Sequence, residues 1–591
     1  MVKTNKHILT HIFKLWPFVS RNKKLQFYGY AFLTSISALA DLLSIGALIP
    51  FIMVFVEPDK LQNISIIMTI IEYCNLTTDR EIQLFLCVIF TLAVLLSGVV
   101  KISLAWFQSR LSYGVAAELA ITIYKYSLHR PYEYHLNTNT NDIVSTIANK
   151  ANIVADNIIH PVLSFLLAFV TLIAIASLLV LINPIITALI FSLIGGAYVA
   201  ISLVVRSRVA VASVEIATSF DSVMRNIREG LEGIRYVMLT GAQSLFVKAH
   251  SESEIKLRMS QANISFASLF PRAVIESFAL LVFAWVIFWF FGSAGGDSSS
   301  SLIALMGAIV MAVQRLLPVA QQAYFGWTKL SGAQGIIEDT LEYLKEPENS
   351  TLNTFQPSKL GVLKFKEKIV IKDVCFSYKR NTDTPVLRGV NLEISRSSKI
   401  GITGPSGSGK STLLDLVMGF LDPTSGKILI DGVELKAGSN IRSWQSNISL
   451  VPQQIYLSDS SILSNIAFGY DEDSADLDKI EEVLKITQLY DFVDSLQDKY
   501  FYCVGEGGKN LSHGQRQRIG IARALYRDSD LLVIDEGTSA LDRKTQSDVI
   551  NQLNMLKNRP AIIMVAHRVE ILENYDAIYE VKDGYLTRLP G

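Results

Sequence analysis

Residues 398–420, SKIGITGPSGSGKSTLLDLVMGF, join a short apolar run to a glycine-rich loop and then to a helix-like stretch. Within it Gly404, Pro405, Ser406, Gly407, Ser408, Gly409, Lys410, Ser411 and Thr412 carry the pattern of a phosphate-binding loop. Glycines let the backbone wrap closely enough for successive N–H groups to point at phosphate oxygens. The following helix adds the favourable end of its dipole. Lys410 is placed to reach terminal phosphates, and the Ser411 hydroxyl suits Mg²⁺.

Around this loop, from residue 368 onward, short β-rich runs alternate with helical ones: IVIKDVCFSY (369–378), NISLV (447–451), LLVID (531–535) and AIIMVAH (561–567). That alternation predicts an α/β domain with a largely parallel sheet. LLVIDE ends a buried strand on two acids. Asp535 suits a water-mediated Mg²⁺ contact, and Glu536 is placed to polarise an attacking water. By itself that motif is also compatible with a solvated strand end; the phosphate loop ahead of it decides.

The first part of the 591-residue chain is different in kind. Half of all residues are hydrophobic and the mean hydropathy is +0.33, more apolar than an ordinary soluble protein. Apolar stretches at about 25–56, 84–107, 157–182, 184–205, 273–292 and 302–325 are each long enough to cross a membrane as a helix. Lys125, Arg130, Lys150, Arg206, Arg208, Arg225, Arg228, Arg235 and Lys248 fall between spans two and three or four and five, which puts those loops in the cytosol. The acid-rich segment 57–81 and GSAGGDSSSS after the fifth stretch then face outward.

The expected architecture is an all-α six-span transmembrane domain, residues 1–344, a polar linker, residues 345–367, and an α/β nucleotide-binding domain, residues 368–591. The opening MVKTNKHILTHIFKLWPFVSRNKK reads as an interfacial amphipathic helix rather than a cleaved signal peptide. Fifty-four basic residues balance 54 acidic ones, giving no charge excess that would suggest nucleic acid. Four widely spaced cysteines argue against a disulfide framework or a zinc site.

LSHGQRQRIGIARAL, residues 511–525, closely resembles the signature of the ATP-binding-cassette family. The resemblance implies that Tyr378 stacks on adenine, Gln453 links Mg²⁺ to the membrane domain, His567 contacts the γ-phosphate, and Ser512, Gly514 and Gln515 close over nucleotide held by another copy. Ser539-Ala-Leu-Asp542 resembles the family's D-loop, and VGEGG around Glu506 a segment that senses the membrane helices. One cassette with every catalytic position filled implies a homodimer hydrolysing ATP. Two departures stand out: His513 replaces the usual signature glycine and Gly537 the usual alanine after the catalytic glutamate.

Membrane domain followed by cassette resembles the exporter branch of the family, a multi-pass protein of the cell membrane with its ATPase domain in the cytosol. SISALADLLSIGALIPFI, FPRAVIESFALL and VQRLLPVAQQAY look similar to bacterial flippases for lipid-linked oligosaccharides. Ionisable residues inside spans are costly, so Asp41, Lys101, Glu276 and Arg315, with Arg272 at the start of the fifth span, are candidate cavity residues. Lys101, Arg272 and Arg315 could together neutralise a pyrophosphate between lipid and glycan. Export of peptide, drug or lipid A-type substrates is the alternative, and a nucleotide-gated channel or sensor a more distant one.

Overall fold

The computed structural model describes residues 14–56, 73, 78–138, 143–144, 146–182, 184–293, 299–332, 334–345, 363, 365–378, 385–436, 440–538, 541–556 and 560–590. Most of the expected N-terminal helix, outer loop and linker lies outside these. The chain divides into two compact units. One takes Met1–Leu128 and Asn139–Glu346; the other takes Pro347–Gly591 together with the segment His129–Thr138.

The first unit is built of long helices: α1 (Arg21–Val56), α2 (Asp79–Leu128), α3 (His160–Ile182), α4 (Pro184–Glu232), α5 (Gln243–Ser293) and α6 (Ser299–Gly332). Two π-helical turns, Thr146–Lys150 and Ala155–Ile159, lead into α3. Among the described residues, Arg21–Ile52, Asp79–Leu128 and Thr146–Leu181 are long and apolar enough to cross a membrane, and Phe191–Val205 is a shorter apolar stretch.

α1 and α2 form an antiparallel hairpin whose register is marked at successive levels. Ser20 bonds Glu118, Tyr30 bonds Gln108, Ser97 bonds Asp41, and Phe51 stacks on Phe90. α2 is inverted relative to a soluble helix. Ser97, Leu104, Gln108, Leu111, Ser112 and Val115 face inward, whereas Leu92, Leu95, Val99, Ile102 and Trp106 recur at helical spacing on the exposed side. An apolar exposed stripe of that length needs lipid or protein against it. Close packing elsewhere depends on a missing side chain: a Cβ on Gly326 of α6 would stand 3.1 Å from the Pro161 carbonyl oxygen at the start of α3.

The second unit contains two sheets. Strands β1 (Lys368–Phe376), β2 (Leu387–Ser395), β4 (Ser425–Ile430) and β5 (Val433–Glu434) pair antiparallel in the order β2-β1-β4-β5. The larger sheet runs β10-β9-β3-β8-β7-β6, using β3 (Lys399–Thr403), β6 (Ile448–Val451), β7 (Leu531–Asp535), β8 (Ala561–Val565), β9 (Ala577–Lys582) and β10 (Tyr585–Arg588). β6, β7, β8, β3 and β9 are mutually parallel, and only β10 runs against its neighbour.

The apolar runs of β3, β7 and β8 are buried almost throughout, as expected of parallel strands covered on both faces. Register then does the functional work. Ile402 and Asp535 both pair with Val565. The residues that follow, Gly404, Glu536 and His567, therefore emerge together at the carboxyl edge of the sheet, the usual ligand-binding edge of an open parallel sheet.

Candidate nucleotide site

The phosphate loop leaves β3 at Gly404 and enters α7 (Lys410–Val417) through Gly409. Gly404 has φ 142° and Gly409 φ 105°, backbone conformations that L side chains rarely adopt. A Cβ at Gly404 would also overlap the Val581 carbonyl oxygen. Lys410, only 6% exposed, curls back so that Nζ donates to the carbonyls of Gly404 at 2.9 Å and Pro405 at 2.8 Å. The Ser408 hydroxyl oxygen is buried with no hydrogen-bond partner among the described residues. A phosphate oxygen would satisfy that orphan, so the loop fits the anion its sequence predicts.

Next to the loop, Ser411 hydrogen-bonds the Asp535 carboxylate. Burial pushes the Asp535 carboxyl up, against the lowering effects of Ser411, Lys410 and His567. One turn along α7, Asp415 is pushed up to about 6 by burial and by the charge of Asp535. Glu536 follows at φ 54°, a left-handed backbone uncommon outside glycine that turns the chain sharply after β7.

Both oxygens of Glu536 are held. Gln453 Nε2 donates to Oε2 at 2.9 Å, and His567 Nε2 lies 2.7 Å from Oε1. The Glu536 side chain is 12% exposed and that of His567 54%. A largely buried carboxylate fixed by two flanking side chains meets the geometric requirement for a general base, a positioned proton acceptor.

Ser411, Asp535 and Gln453 offer a hydroxyl, a carboxylate and an amide, an all-oxygen set suited to a hard cation. No group of three His, Cys, Asp or Glu side chains is clustered for a metal among the described residues. Such a sparse donor set fits Mg²⁺ carried in with nucleotide phosphates and waters better than an ion caged by protein alone.

Tyr378 is 42% exposed. Its hydroxyl hydrogen-bonds the Thr412 hydroxyl at 2.9 Å, and its ring meets Phe376 edge-on at 5.0 Å. The ring is thus fixed at the flank of the loop, with an exposed face. Ser512 and Gln515, expected at a nucleotide, form the reciprocal cap of helix α8 (His513–Tyr526): the Gln515 N–H donates to Ser512 Oγ at 3.2 Å, and the Ser512 N–H donates to Gln515 Oε1 at 2.8 Å. His513 is the exposed first residue of that helix, and Gly514 follows it. Ser539 and Ala540 lie outside the described residues, while Asp542 caps the helix Arg543–Asn554.

The Gly537 departure has a packing reason. A Cβ there would overlap Val451 Cγ1, so an alanine would require the valine that ends β6 to shift.

Three participants were not legible as site residues. Arg523 of α8 donates from Nε to the Asn465 carbonyl at 2.7 Å and from a terminal nitrogen to the Tyr456 carbonyl at 2.8 Å, tying the signature helix to the segment after Gln453. Asp415 is the second buried carboxyl. Tyr132, on the short helix Tyr132–Asn137, packs on Phe420 with ring centres 5.2 Å apart, and its hydroxyl is pushed up by burial and by Asp415 and Tyr378. The only signal for Tyr132 was an aromatic cluster, YEYH, in a basic loop.

The candidate cavity residues pair off. Lys101 Nζ lies 2.8 Å from Asp41 Oδ1, and Arg272 lies 3.6 Å from Glu276. The two cations therefore have different carboxylate partners. Arg315 belongs to α6, with its side chain outside the described residues.

A helical unit with a lipid-type exposed face and an α/β unit with this phosphate site define a membrane-bound ATP-binding transporter. Residues 387–539 match the family described as ABC transporter, and residues 30–315 match the family described as ABC transporter transmembrane region. The chain belongs to the ABC transporters.

Its relatives include proteins named ATP-dependent lipid A-core flippase. That of Chromobacterium violaceum is 33% identical over 61% of this chain and 60% of the relative. That of Pseudomonas aeruginosa is 27% identical over 82% and 78%, and that of Salmonella paratyphi A 26% identical over 86% of each. The match thus spans less than two thirds of the Chromobacterium protein. A solved bacterial Atm1-family ABC exporter with ATP bound shares the fold, with TM-score 0.74 at 20% identity over 95% of this chain and 94% of that one.

Proposed function

We propose that the chain is one half of a homodimeric, ATP-driven flippase of the cell membrane, moving an amphipathic lipid with a saccharide headgroup. The observation that carries the reading is Glu536, held between Gln453 and His567 at the same sheet edge as the phosphate loop. Residues 1–344 are assigned as the six-span membrane domain, 345–367 as the linker and 368–591 as a cytosolic cassette. The relatives named lipid A-core flippases favour a lipid substrate, and the resemblance to oligosaccharide-lipid flippases favours a glycan on it.

In this reading ATP stacks on Tyr378, and its phosphates are cradled by the backbone of Gly404–Gly409 with Lys410 turned from the loop carbonyls to the terminal phosphates. Ser411, Gln453 and Asp535 would hold Mg²⁺, which would supply charge neutralisation on those phosphates. Glu536 accepts the proton of the attacking water, and His567 steadies the γ-phosphate. Ser512, Gly514 and Gln515 of a second copy close the site, so two copies make two equivalent sites. ATP binding draws the cassettes together and hydrolysis resets them, which biases the membrane helices between two arrangements. Lys101, Arg272 and Arg315 are assigned to the headgroup, released from their carboxylate partners as it arrives.

The test is ATPase activity of the full chain in lipid nanodiscs, with and without lipid A-type and polyprenyl-pyrophosphate glycan extracts, using Glu536→Gln as the blank. Stimulation by either extract supports the flippase. Turnover that neither extract moves overturns the lipid-glycan assignment, and no turnover above the blank overturns the pump.

A further inference from the structure

β6 is the four-residue end strand of the larger sheet, paired with β7 and with no other described strand. The pairs between them, Ile448↔Leu531 through Val451↔Ile534, keep one register. The Gln453–Glu536 hydrogen bond spans the same offset of 83 residues, so this site contact continues the ladder past the carboxyl ends of the two strands. At their amino ends the offset recurs in Asn447 and Asp530. There the Asp530 N–H donates to the Asn447 carbonyl at 3.0 Å, and the Leu531 N–H donates to the same oxygen at 3.2 Å. Six residues of strand at about 3.3 Å each separate the two ends by roughly 20 Å.

A strap of chain just ahead of β1 is fastened across those amino ends. The Leu363 N–H donates to Ser443 Oγ at 2.5 Å, and the Leu363 carbonyl accepts from Asn447 Nδ2 at 2.8 Å. The Phe365 carbonyl accepts from the Arg396 guanidinium, whose other terminal nitrogen lies 3.3 Å from Asp530 Oδ1. One strap is thus tied to β6 through Asn447 and to β7 through Arg396 and Asp530. Phe365 itself is fully buried, edge-on to Trp444 at 6.2 Å. Beyond it the N–H groups of Lys366, Glu367 and Lys368 all donate to the Asp431 carboxylate, at 2.7, 2.9 and 2.8 Å.

We propose that the strap is a positioning device for the hydrolytic site. By bridging Asn447 and Asp530 it holds β6 in register with β7, and so holds Gln453 on Glu536 at the far ends. A short strand bonded along one side has few ladder bonds of its own to resist sliding, and the strap supplies the missing restraint. Nucleotide binding is spared, because the phosphate loop leaves β3 and Tyr378 follows β1. The proposal rests on the assignment of Glu536 to hydrolysis in the pump reading.

The experiment uses the full chain in lipid nanodiscs, well below its unfolding midpoint, and leaves Phe365 in place. Asn447→Ala together with Arg396→Gln cuts the strap from both strands. The pair is expected to lower kcat about tenfold, within the roughly 10²-fold that a misplacement of about 1 Å can cost, and to move half-saturating ATP by less than about twofold. In a Gln453→Ala background the same pair is expected to lower kcat no further, because the contact it acts through is already gone. Hydrogen exchange in the nucleotide-free chain gives a readout without turnover. Residues 448–453 and 531–536 are expected to exchange faster in the variant, and residues 400–403 of β3 to stay as they were.

An unchanged kcat, or a loss that persists undiminished without Gln453, overturns the proposal. Unchanged exchange over residues 448–453 does so too, as does an acceleration shared by β3, which would mark a general loss of stability. Should the double variant not fold, Arg396→Gln carries the same cycle alone, on a side chain 44% exposed, and a kcat loss independent of Gln453 or no loss refutes the strap. Failure of the pump reading would appear separately, as wild type turning over no faster than Glu536→Gln. The exchange measurement would then still decide whether the strap sets the β6–β7 register.

Discussion

His567 Nε2 and Glu536 Oε1 stand 2.7 Å apart, while Glu536 is held in a left-handed backbone conformation at φ 54°. The strain and the hydrogen bond point the same way. Glu536 is aimed by the turn after β7, and Gln453 and His567 fix the two oxygens it presents. Replacing the carboxylate by an amide keeps the shape and removes the proton acceptor proposed for the attacking water. Glu536→Gln is therefore expected to lower kcat by about 10²–10⁴-fold. Binding of a fluorescent ATP analogue, which does not need that proton transfer, should change far less. Comparable loss of binding would mean that Glu536 shapes the site rather than acting on water.

Gly537 and Val451 make a second test. The cassette's usual alanine cannot enter at Gly537 without pushing Val451 aside, and forced repacking of a filled core costs about 1–3 kcal/mol. Gly537→Ala should lower the thermal midpoint of the detergent-purified chain, and Val451→Ala in the same chain should return part of the loss. The two residues touch, so their effects must be non-additive in a double-mutant cycle. Simple additivity would show that the loop adjusts without meeting the valine.

The phosphate loop and the acids Asp535 and Glu536, at and just past the end of β7, could be named as candidates because backbone pattern and short-range spacing are written directly in sequence. Long apolar runs likewise fixed the long helices. What stayed hidden was contact between distant residues. Nothing in the run SISALAD says that Asp41 meets Ser97 and Lys101, because the helical register that joins them is set by the whole α1–α2 interface. The sequence placed Asp41 and Glu276 among the same candidates as Lys101, Arg272 and Arg315 but did not show which acid meets which cation: Lys101 meets Asp41 and Arg272 meets Glu276. Gly537 read as an unexplained departure from the resembled family pattern, and only β6 shows that Val451 lies where its Cβ would go.

Arg523 is the clearest such case. In IARAL it reads as a charged helix residue, yet burial holds its guanidinium against the carbonyls of Tyr456 and Asn465, the Asn465 side chain and the Phe468 ring. A planar fork meets several acceptors at once, which an ammonium cannot copy. Arg523→Lys should thus fail to rescue. Arg523→Ala and Arg523→Lys are both expected to cost at least about 1.5–3 kcal/mol, the worth of one lost charged hydrogen bond. Because the clamp ties the signature helix to the segment after Gln453, ATPase activity should fall with it. Full activity in Arg523→Lys would reduce the clamp to a point charge.

Asp415 predicts a pH dependence of stability whose sign follows from its environment. Its carboxyl is pushed up to about 6 by burial first and by Asp535 second, from an ordinary value near 3.8. The folded protein therefore holds the Asp415 proton more tightly than the unfolded chain. Between about pH 4 and pH 6 the folded state binds more protons at this site, so its contribution to stability falls as pH rises through that window. Above it, wild type bears the full cost of a buried charge beside Asp535. Asp415→Asn removes the titration and keeps a similar shape. The variant's thermal midpoint should accordingly exceed that of wild type at pH 8, and the advantage should shrink towards nothing as pH is lowered to about 4. The measured quantity is the difference between the two proteins at each pH, which cancels the titration of groups that Asp415 does not influence and leaves that of the Asp415–Asp535 pair. An advantage that stays constant with pH would show that Asp415 acts through shape alone, and one that grows on acidification would reverse the assigned direction.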